Sequence, residues 1–123
     1  TASDTRDGYD AHSPTNDHGT ISPTAAVSAL PYAPEQSMRA IRHFYEDLGP
    51  RIWGPYGFTD AFNEGQGWYA KEYLAIDQGP IVTLWANHQN QLIWKLMRNC
   101  PPLLQGLRLA GFRGGWLGAG QGA

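Results

Sequence analysis

Apolar residues recur at helical spacing through much of this 123-residue chain, and this restricts the folds open to it. Between residues 34 and 48 they occur every three or four positions, which places them on one face of a helix. Pro34 suits a first helical turn, and Gly49 can adopt the left-handed conformation that ends a helix. The pattern predicts a helix over residues 34–48, and its apolar stripe consists of Met38, Ile41, Phe44, Tyr45 and Leu48.

A second apolar run predicts a helix that begins after Asp77 and extends to about residue 97. Asp is a favourable N-cap residue, and Pro80 is tolerated because amides of the first turn have no intrahelical partner. The polar residues around Asn90 suggest a break within this run. The sequence therefore predicts two helical pieces in the region 78–97.

The last predicted helix covers residues 103–110 and follows two prolines that stop the preceding run. Gly111 is expected to cap this helix, and residues 113–123 form a Gly-rich tail that we expect to be flexible. The polar residues 1–34 predict a long loop, for which we expect a functional role. No segment alternates like a strand, so the pattern indicates an all-α scaffold with its function on long loops.

Charge and composition exclude several classes of partner. The net charge of −2 and the scattered Lys and Arg residues provide no footprint for nucleic acid and no basic surface for a membrane. No apolar run approaches the roughly 20 residues needed to cross a bilayer. Cys100 is the only cysteine, so no intrachain disulfide is possible, and we expect it to be a buried small residue at a helix junction.

The helical stripes are broad, and the chain contains few elements that could cover them. The sequence also begins at Thr1 without an initiator Met. We therefore expect the chain to be part of a larger domain and not to fold alone.

Residues 51–80 combine aromatic residues with two acidic motifs that contain Asp60 and Asp77. Aromatic rings bind the apolar faces of sugars, and carboxylates hydrogen-bond hydroxyls or move protons in glycoside cleavage. The segment is thus a candidate carbohydrate site. The alternative is an aromatic core loop in which Asp60 shapes a turn and Asp77 caps a helix.

The N-terminal loop contains a cluster of possible metal ligands: Asp7, Asp10, His12, Asn16, Asp17 and His18. Their order matches neither an EF-hand nor a zinc signature, and such residues commonly bond their own backbone in turns. Serine nucleophile elbows and phosphate-binding loops are also missing from the sequence. We expect neither a metal ion nor a cofactor.

Four strings carry a resemblance to a known family: ASDTRDGYDAHSP, GTISPTAAVSALPYAPE, AIRHFYEDLGPRIWGPYGFTDAFN and YLAIDQGPIVTLWANHQNQLIWKLMRNCP. Together they resemble the C-terminal part of the bacterial glycoamylase-like family, which includes endo-β-1,2-glucanases and domains of cyclic β-1,2-glucan synthases. The resemblance runs from Thr1 to about Phe112 and implies an (α/α)6 barrel. Residues 1–112 would form the final third of its catalytic domain, and Arg6 stands where the family pattern suggests a Pro.

The resemblance implies an inverting glycoside hydrolase acting on β-1,2-glucan, with a general acid upstream of this chain. It implies Asp60 as the base or the group that orients water, and Asp77 as the second catalytic candidate. The implied substrate-binding residues are Asp4, Asp7, Tyr9, His12, Tyr56, Trp68 and Tyr69. The implied partners are a saccharide substrate and the missing N-terminal barrel helices, in a periplasmic or secreted bacterial protein.

Two other interpretations remain open at this point. The chain could be a non-catalytic carbohydrate-binding remnant, because it lacks one of the two acids. It could also belong to a glucan synthase, where a processing domain transglycosylates instead of hydrolysing.

Overall fold

The computed structural model describes residues 13–118. Most of the regular secondary structure in this part of the chain is helical. The prediction of a helical scaffold is confirmed at this level. The helices are α1 Pro23–Ala29, α2 Pro34–Glu46, α3 Gly49–Ile52, α4 Ala75–Asn90, α5 Leu92–Arg98 and α6 Pro101–Leu109, followed by a 3-10 turn at Gly115–Leu117. Across residues 13–118, no helix combines the length and the apolar character needed to cross a membrane.

Two short antiparallel strand pairs correct the expectation that the chain contains no strands. Strands β1 (Trp53–Gly54) and β2 (Gly57–Phe58) form one pair, and β3 (Phe62–Asn63) and β4 (Trp68–Tyr69) form the other. Strands of two residues are too short for polar and apolar residues to alternate visibly. Their tight turns were the available signal, since Gly57 and Gly67 both have positive φ angles, of 92° and 60°.

Helix α1 lies inside the segment that the sequence predicted to be loop, so that prediction is wrong for Pro23–Ala29. Pro23 occupies the first turn, where its missing N–H costs nothing. The Ser28 hydroxyl donates to the Thr24 carbonyl at 2.9 Å, which satisfies a buried polar group within the helix. A helix of seven residues has too few turns to show an apolar period.

Helix α4 begins at Ala75, before the predicted start, because the Leu74 carbonyl accepts the N–H groups of Asp77 and Gln78. Asp77 therefore lies within the first turn and is not the N-cap. The predicted break near Asn90 is confirmed. Gln91 adopts a left-handed conformation with φ 58°, and α5 begins directly after it.

Helix α6 begins at Pro101, two residues before the predicted start, and ends at Leu109. Gly111 has φ 84° and donates its N–H to the Arg108 carbonyl, so the predicted glycine cap is confirmed. Cys100 precedes α6 and is half-buried, at the helix junction where it was expected.

The buried core joins α2 and α3 to the two strand pairs. Phe44 lies at its centre, with its ring 5.3 Å from that of Phe62 and 6.2 Å from that of Phe58, both edge to face. Leu48 and Ile52 complete the buried cluster. Only part of the predicted stripe is therefore buried in this chain, and Met38 and Tyr45 are among the exposed remainder.

The chain divides into two compact units, Thr1–Trp85 and Ala86–Ala123. The first unit contains the core and both acidic motifs. In the second, the Arg98 guanidinium lies 5.9 Å from the Trp94 ring and 5.7 Å from the Trp116 ring. The Asn87 side chain accepts the N–H of Trp94 at 3.0 Å, at the junction between α4 and α5.

Candidate carboxylate site

Asp60 is held in place through its backbone. It lies in the loop after β2, where its N–H donates to the Glu72 carbonyl and its carbonyl accepts from the Ser22 hydroxyl, both at 2.9 Å. Asp60 is only 1% exposed, although an ionised carboxylate normally needs water or hydrogen-bond donors. The segment that precedes α1 and the segment that precedes α4 therefore both bind the backbone of Asp60.

Asp77 lies in the first turn of α4, next to the carboxyl group of Asp60. Burial raises the pKa of Asp77 above its ordinary value. The neighbouring Asp60 raises this pKa further, because it hydrogen-bonds the protonated acid and repels the charged form. The Asp77 Oδ2 atom is buried without a hydrogen-bond partner among the described residues. The two carboxyl groups are therefore neighbours that can share a hydrogen bond when Asp77 is protonated.

An open cavity of about 520 Å³ lies beside the pair. Asp77 forms part of its wall, together with residues of α1 and of the first half of α4. The volume falls in the range typical of small-molecule sites. Its lining combines hydroxyl, aromatic and aliphatic groups, namely Ser22, Thr24, Ala25, Ser28, Ala29, Tyr32, Ile76, Pro80 and Leu84.

Three of the aromatic residues expected to bind substrate lie among residues 13–118, and their environments differ. Tyr56 is 74% exposed and meets Tyr73 edge to face at 5.3 Å. Trp68 is half-buried on β4. Tyr69 lies under the Arg51 guanidinium at 4.9 Å and nearly parallel to the Phe62 ring, so its ring is already engaged in packing.

Trp53 and Phe58, in the same aromatic segment, both contact other aromatic rings. Phe58 belongs to the buried core. The Trp53 ring lies 4.8 Å from Phe58 and 5.1 Å from Tyr45, although about half of its surface is exposed. These contacts agree with a structural role for Phe58 and for one edge of Trp53.

The predicted substrate contacts Asp4, Asp7, Tyr9 and His12 lie outside the described residues. Within residues 13–118, no group of three or more His, Cys, Asp or Glu side chains could hold a metal ion. The Asp17 carboxylate instead accepts the N–H of Gly19 at 2.8 Å, as expected for a turn residue.

Three residues that support the site were missed in the sequence. Ser22 holds the Asp60 carbonyl, and the Gln78 side chain donates to the Phe58 carbonyl at 2.8 Å. Asn63 is 1% exposed, and its amide donates to the His18 carbonyl at 2.6 Å. For Gln78, the available signal was its position directly after an acid at the start of a helix.

Comparison with known proteins identifies relatives over most of the chain. The glycoamylase family model, described as "Putative glucoamylase", matches residues 1–101. A crystal structure from Bacteroides uniformis, described as a "putative glucoamylase", is 56% identical over 95% of the chain with a TM-score of 0.77. An endo-β-1,2-glucanase from Chitinophaga pinensis, in complex with sophorotriose and glucose, is 49% identical over 95% of the chain with a TM-score of 0.76.

An exo β-1,2-glucooligosaccharide sophorohydrolase from Parabacteroides distasonis is 36% identical over 88% of the chain. The chain spans only part of each relative. It covers 28% of the Bacteroides uniformis and Chitinophaga pinensis structures and 15% of the sophorohydrolase.

Proposed function

The chain belongs to the glycoamylase family, and on this basis we propose that it forms part of the active site of a glycoside hydrolase that cleaves β-1,2-glucan. The names of two relatives support this substrate class, since both act on β-1,2-linked glucose. We propose endo action, because identity is 49% with the endo-acting relative and 36% with the exo-acting one.

The observation that carries the proposal is the pair of neighbouring acids, Asp60 and Asp77, beside an open cavity. Inverting hydrolysis needs a carboxylate that removes a proton from the attacking water. A base works best when its pKa approaches the operating pH, and the pKa of Asp77 is raised in that direction. Such a pair, placed where a sugar could enter, has the chemistry that this step requires.

The geometry favours Asp77 as the base, whereas the sequence favoured Asp60 for this role. Asp77 lines the cavity, whereas Asp60 is almost fully buried behind it. We therefore assign Asp77 to contact the water or the substrate. The role of Asp60 is to keep the pKa of Asp77 raised. In this scheme Asp60 remains essential, because removing its charge lowers the basicity of Asp77.

The general acid and the remaining barrel helices would come from other parts of the protein. Several apolar side chains on the helices are strongly exposed: Ile76, Val82, Leu96 and Leu109 are 62–81% accessible. Exposed apolar surface of this kind commonly marks a contact with another element. We propose that further helices complete an (α/α)6 barrel over these faces and add the acid that protonates the leaving oxygen.

The test is release of reducing sugar from linear β-1,2-glucan by the full-length protein, beside this chain alone. We expect activity in the full-length protein and none in the chain. Analysis of the products separates the modes of action, because endo cleavage yields a range of oligosaccharides and exo cleavage yields one. Binding of the glucan without turnover would instead support a carbohydrate-binding remnant, and a cyclic product would support a synthase-linked processing domain.

A further inference from the structure

The Gln78 side chain connects the helix that carries Asp77 to the loop that carries Asp60. Its amide donates to the Phe58 carbonyl at 2.8 Å, and this hydrogen bond is partly buried. Phe58 is 4% exposed within the aromatic core, so its carbonyl is a fixed anchor point. Gln78 thus attaches the first turn of α4 to the rigid part of the molecule.

The need for such an attachment follows from the charges. Two neighbouring carboxyl groups repel each other whenever both are ionised, and the repulsion would drive α4 away from the loop. Hydrogen bonds between the two segments oppose this separation. One joins the Asp60 N–H to the Glu72 carbonyl, before α4 begins, and the other is that of Gln78, within the helix itself.

We propose that Gln78 is a positioning residue for the acid pair: its amide fixes Asp77 against Asp60 by binding the first turn of α4 to the Phe58 carbonyl. The side chain touches neither the reacting atoms nor the proton in this role. The inference rests on the proposed function for its effect on catalysis, but the geometry that it describes can be tested independently of activity.

The first variant is Gln78→Met in the full-length protein, which keeps the length of the side chain and removes the N–H donor. The matched control is Gln89→Met, because Gln89 lies on the same helix and is exposed. For Gln78→Met we expect kcat on β-1,2-glucan to fall by about 10–100-fold, since small displacements of reacting groups cost this much, while KM changes little. The control should keep both constants.

A second readout does not depend on turnover. Carbon-13 NMR of Asp-labelled protein measures the titration of Asp77 directly. In Gln78→Met the titration midpoint should fall towards the ordinary value, because the neighbouring carboxyl has moved away, and in Gln89→Met it should not change. An unaltered Asp77 titration in Gln78→Met would overturn the proposal, whether or not the wild-type protein cleaves the glucan.

Gln78→Glu provides a variant of almost the same shape if the Met variant folds poorly. Its carboxylate cannot donate a hydrogen bond, but its protonated acid can. Activity relative to wild type should therefore recover as the pH is lowered through the pKa of the new acid. A ratio that stays constant with pH, or a loss that follows the melting temperature alone, would assign Gln78 a merely structural role. Activity of the wild-type protein on the glucan is the separate test of the function itself.

Discussion

The carboxyl group of Asp77, in the first turn of α4, lies against that of Asp60, in the loop that follows β2. Burial and the like charge of Asp60 both favour the protonated form of Asp77. Natural cores rarely retain two adjacent acids for stability alone, because the charged forms repel in a medium of low polarity. The relationship is therefore costly to the fold and suited to a proton-transfer site.

Asp77→Asn should stabilise the protein at neutral pH. The pKa of Asp77 in the folded state lies above its reference value of 3.8, so the folded protein binds more protons than the unfolded chain between these values. Stability is consequently lost as the pH rises through this interval, and the loss persists at neutral pH. We expect the variant, which cannot ionise, to be more stable than the wild-type protein at pH 7. Most of this gain should be absent once the pH falls below 3.8, where both states are largely protonated.

Urea unfolding of the full-length wild-type protein and of the variant, at pH 3.5 and pH 7, measures this difference. The same variant should lose almost all hydrolysis of β-1,2-glucan. If the variant and the wild-type protein have the same free energy of unfolding at pH 3.5 and also at pH 7, ionisation of Asp77 does not destabilise the folded state.

Asp60→Asn should lower turnover by about 10²–10⁴-fold without unfolding the protein. The fold should survive because Ser22 and Glu72 hold the backbone of residue 60 and not its carboxyl group. Removing the charge should also move the pKa of Asp77 towards its ordinary value, so the acid limb of the pH–rate profile shifts to lower pH. Steady-state kinetics across pH check both effects, and a wild-type rate would remove Asp60 from the mechanism.

Trp68→Ala should mainly weaken substrate binding, with a rise in KM of about tenfold, if the half-buried ring presents a face to sugar. Phe44→Ala is the contrasting variant, since Phe44 lies in the centre of the core. It should lower the free energy of unfolding by about 3–5 kcal/mol. Kinetics and thermal melts of both variants make the comparison. A Trp68 variant that melts early but retains its KM would place that ring in the core.

Gly54→Ala should disturb the aromatic pair of Tyr56 and Tyr73. A Cβ atom at position 54 would collide with the hydroxyl of Tyr73, which must then move. Because Tyr73 meets Tyr56 edge to face, its displacement should alter the position of Tyr56. We expect a loss of about 1 kcal/mol in stability. Gly65→Ala is the control, since its Cβ would meet only the Asn63 side chain, at 3.4 Å.

Thermal unfolding of both glycine variants gives the stability difference, and substrate affinity reports on Tyr56. Similar melting temperatures for the two variants would mean that Tyr73 relaxes without cost. Unchanged affinity in Gly54→Ala would indicate that Tyr56 does not contact the substrate.

Helix positions followed well from local patterns in the chain. The stripe that contains Phe44, the break before Leu92 and the cap at Gly111 each depend on residues only a few positions apart. Local backbone preferences and the helical period act over the same range, so the sequence records them directly. Helix α1 and the two-residue strands escaped detection because each is too short to show a period.

The amino-acid sequence alone predicted Asp60 and Asp77 as candidates for the chemistry, because both stand in an aromatic segment. Three relationships follow from the folded chain and not from its local patterns: these two acids meet, Asp77 lines the cavity, and Ser22 and Gln78 hold the surrounding backbone. The difference arises from the distance along the chain over which each interaction acts. Helix formation depends on neighbours within one turn, whereas a pKa shift by burial and like charge depends on groups that the chain brings together from distant positions.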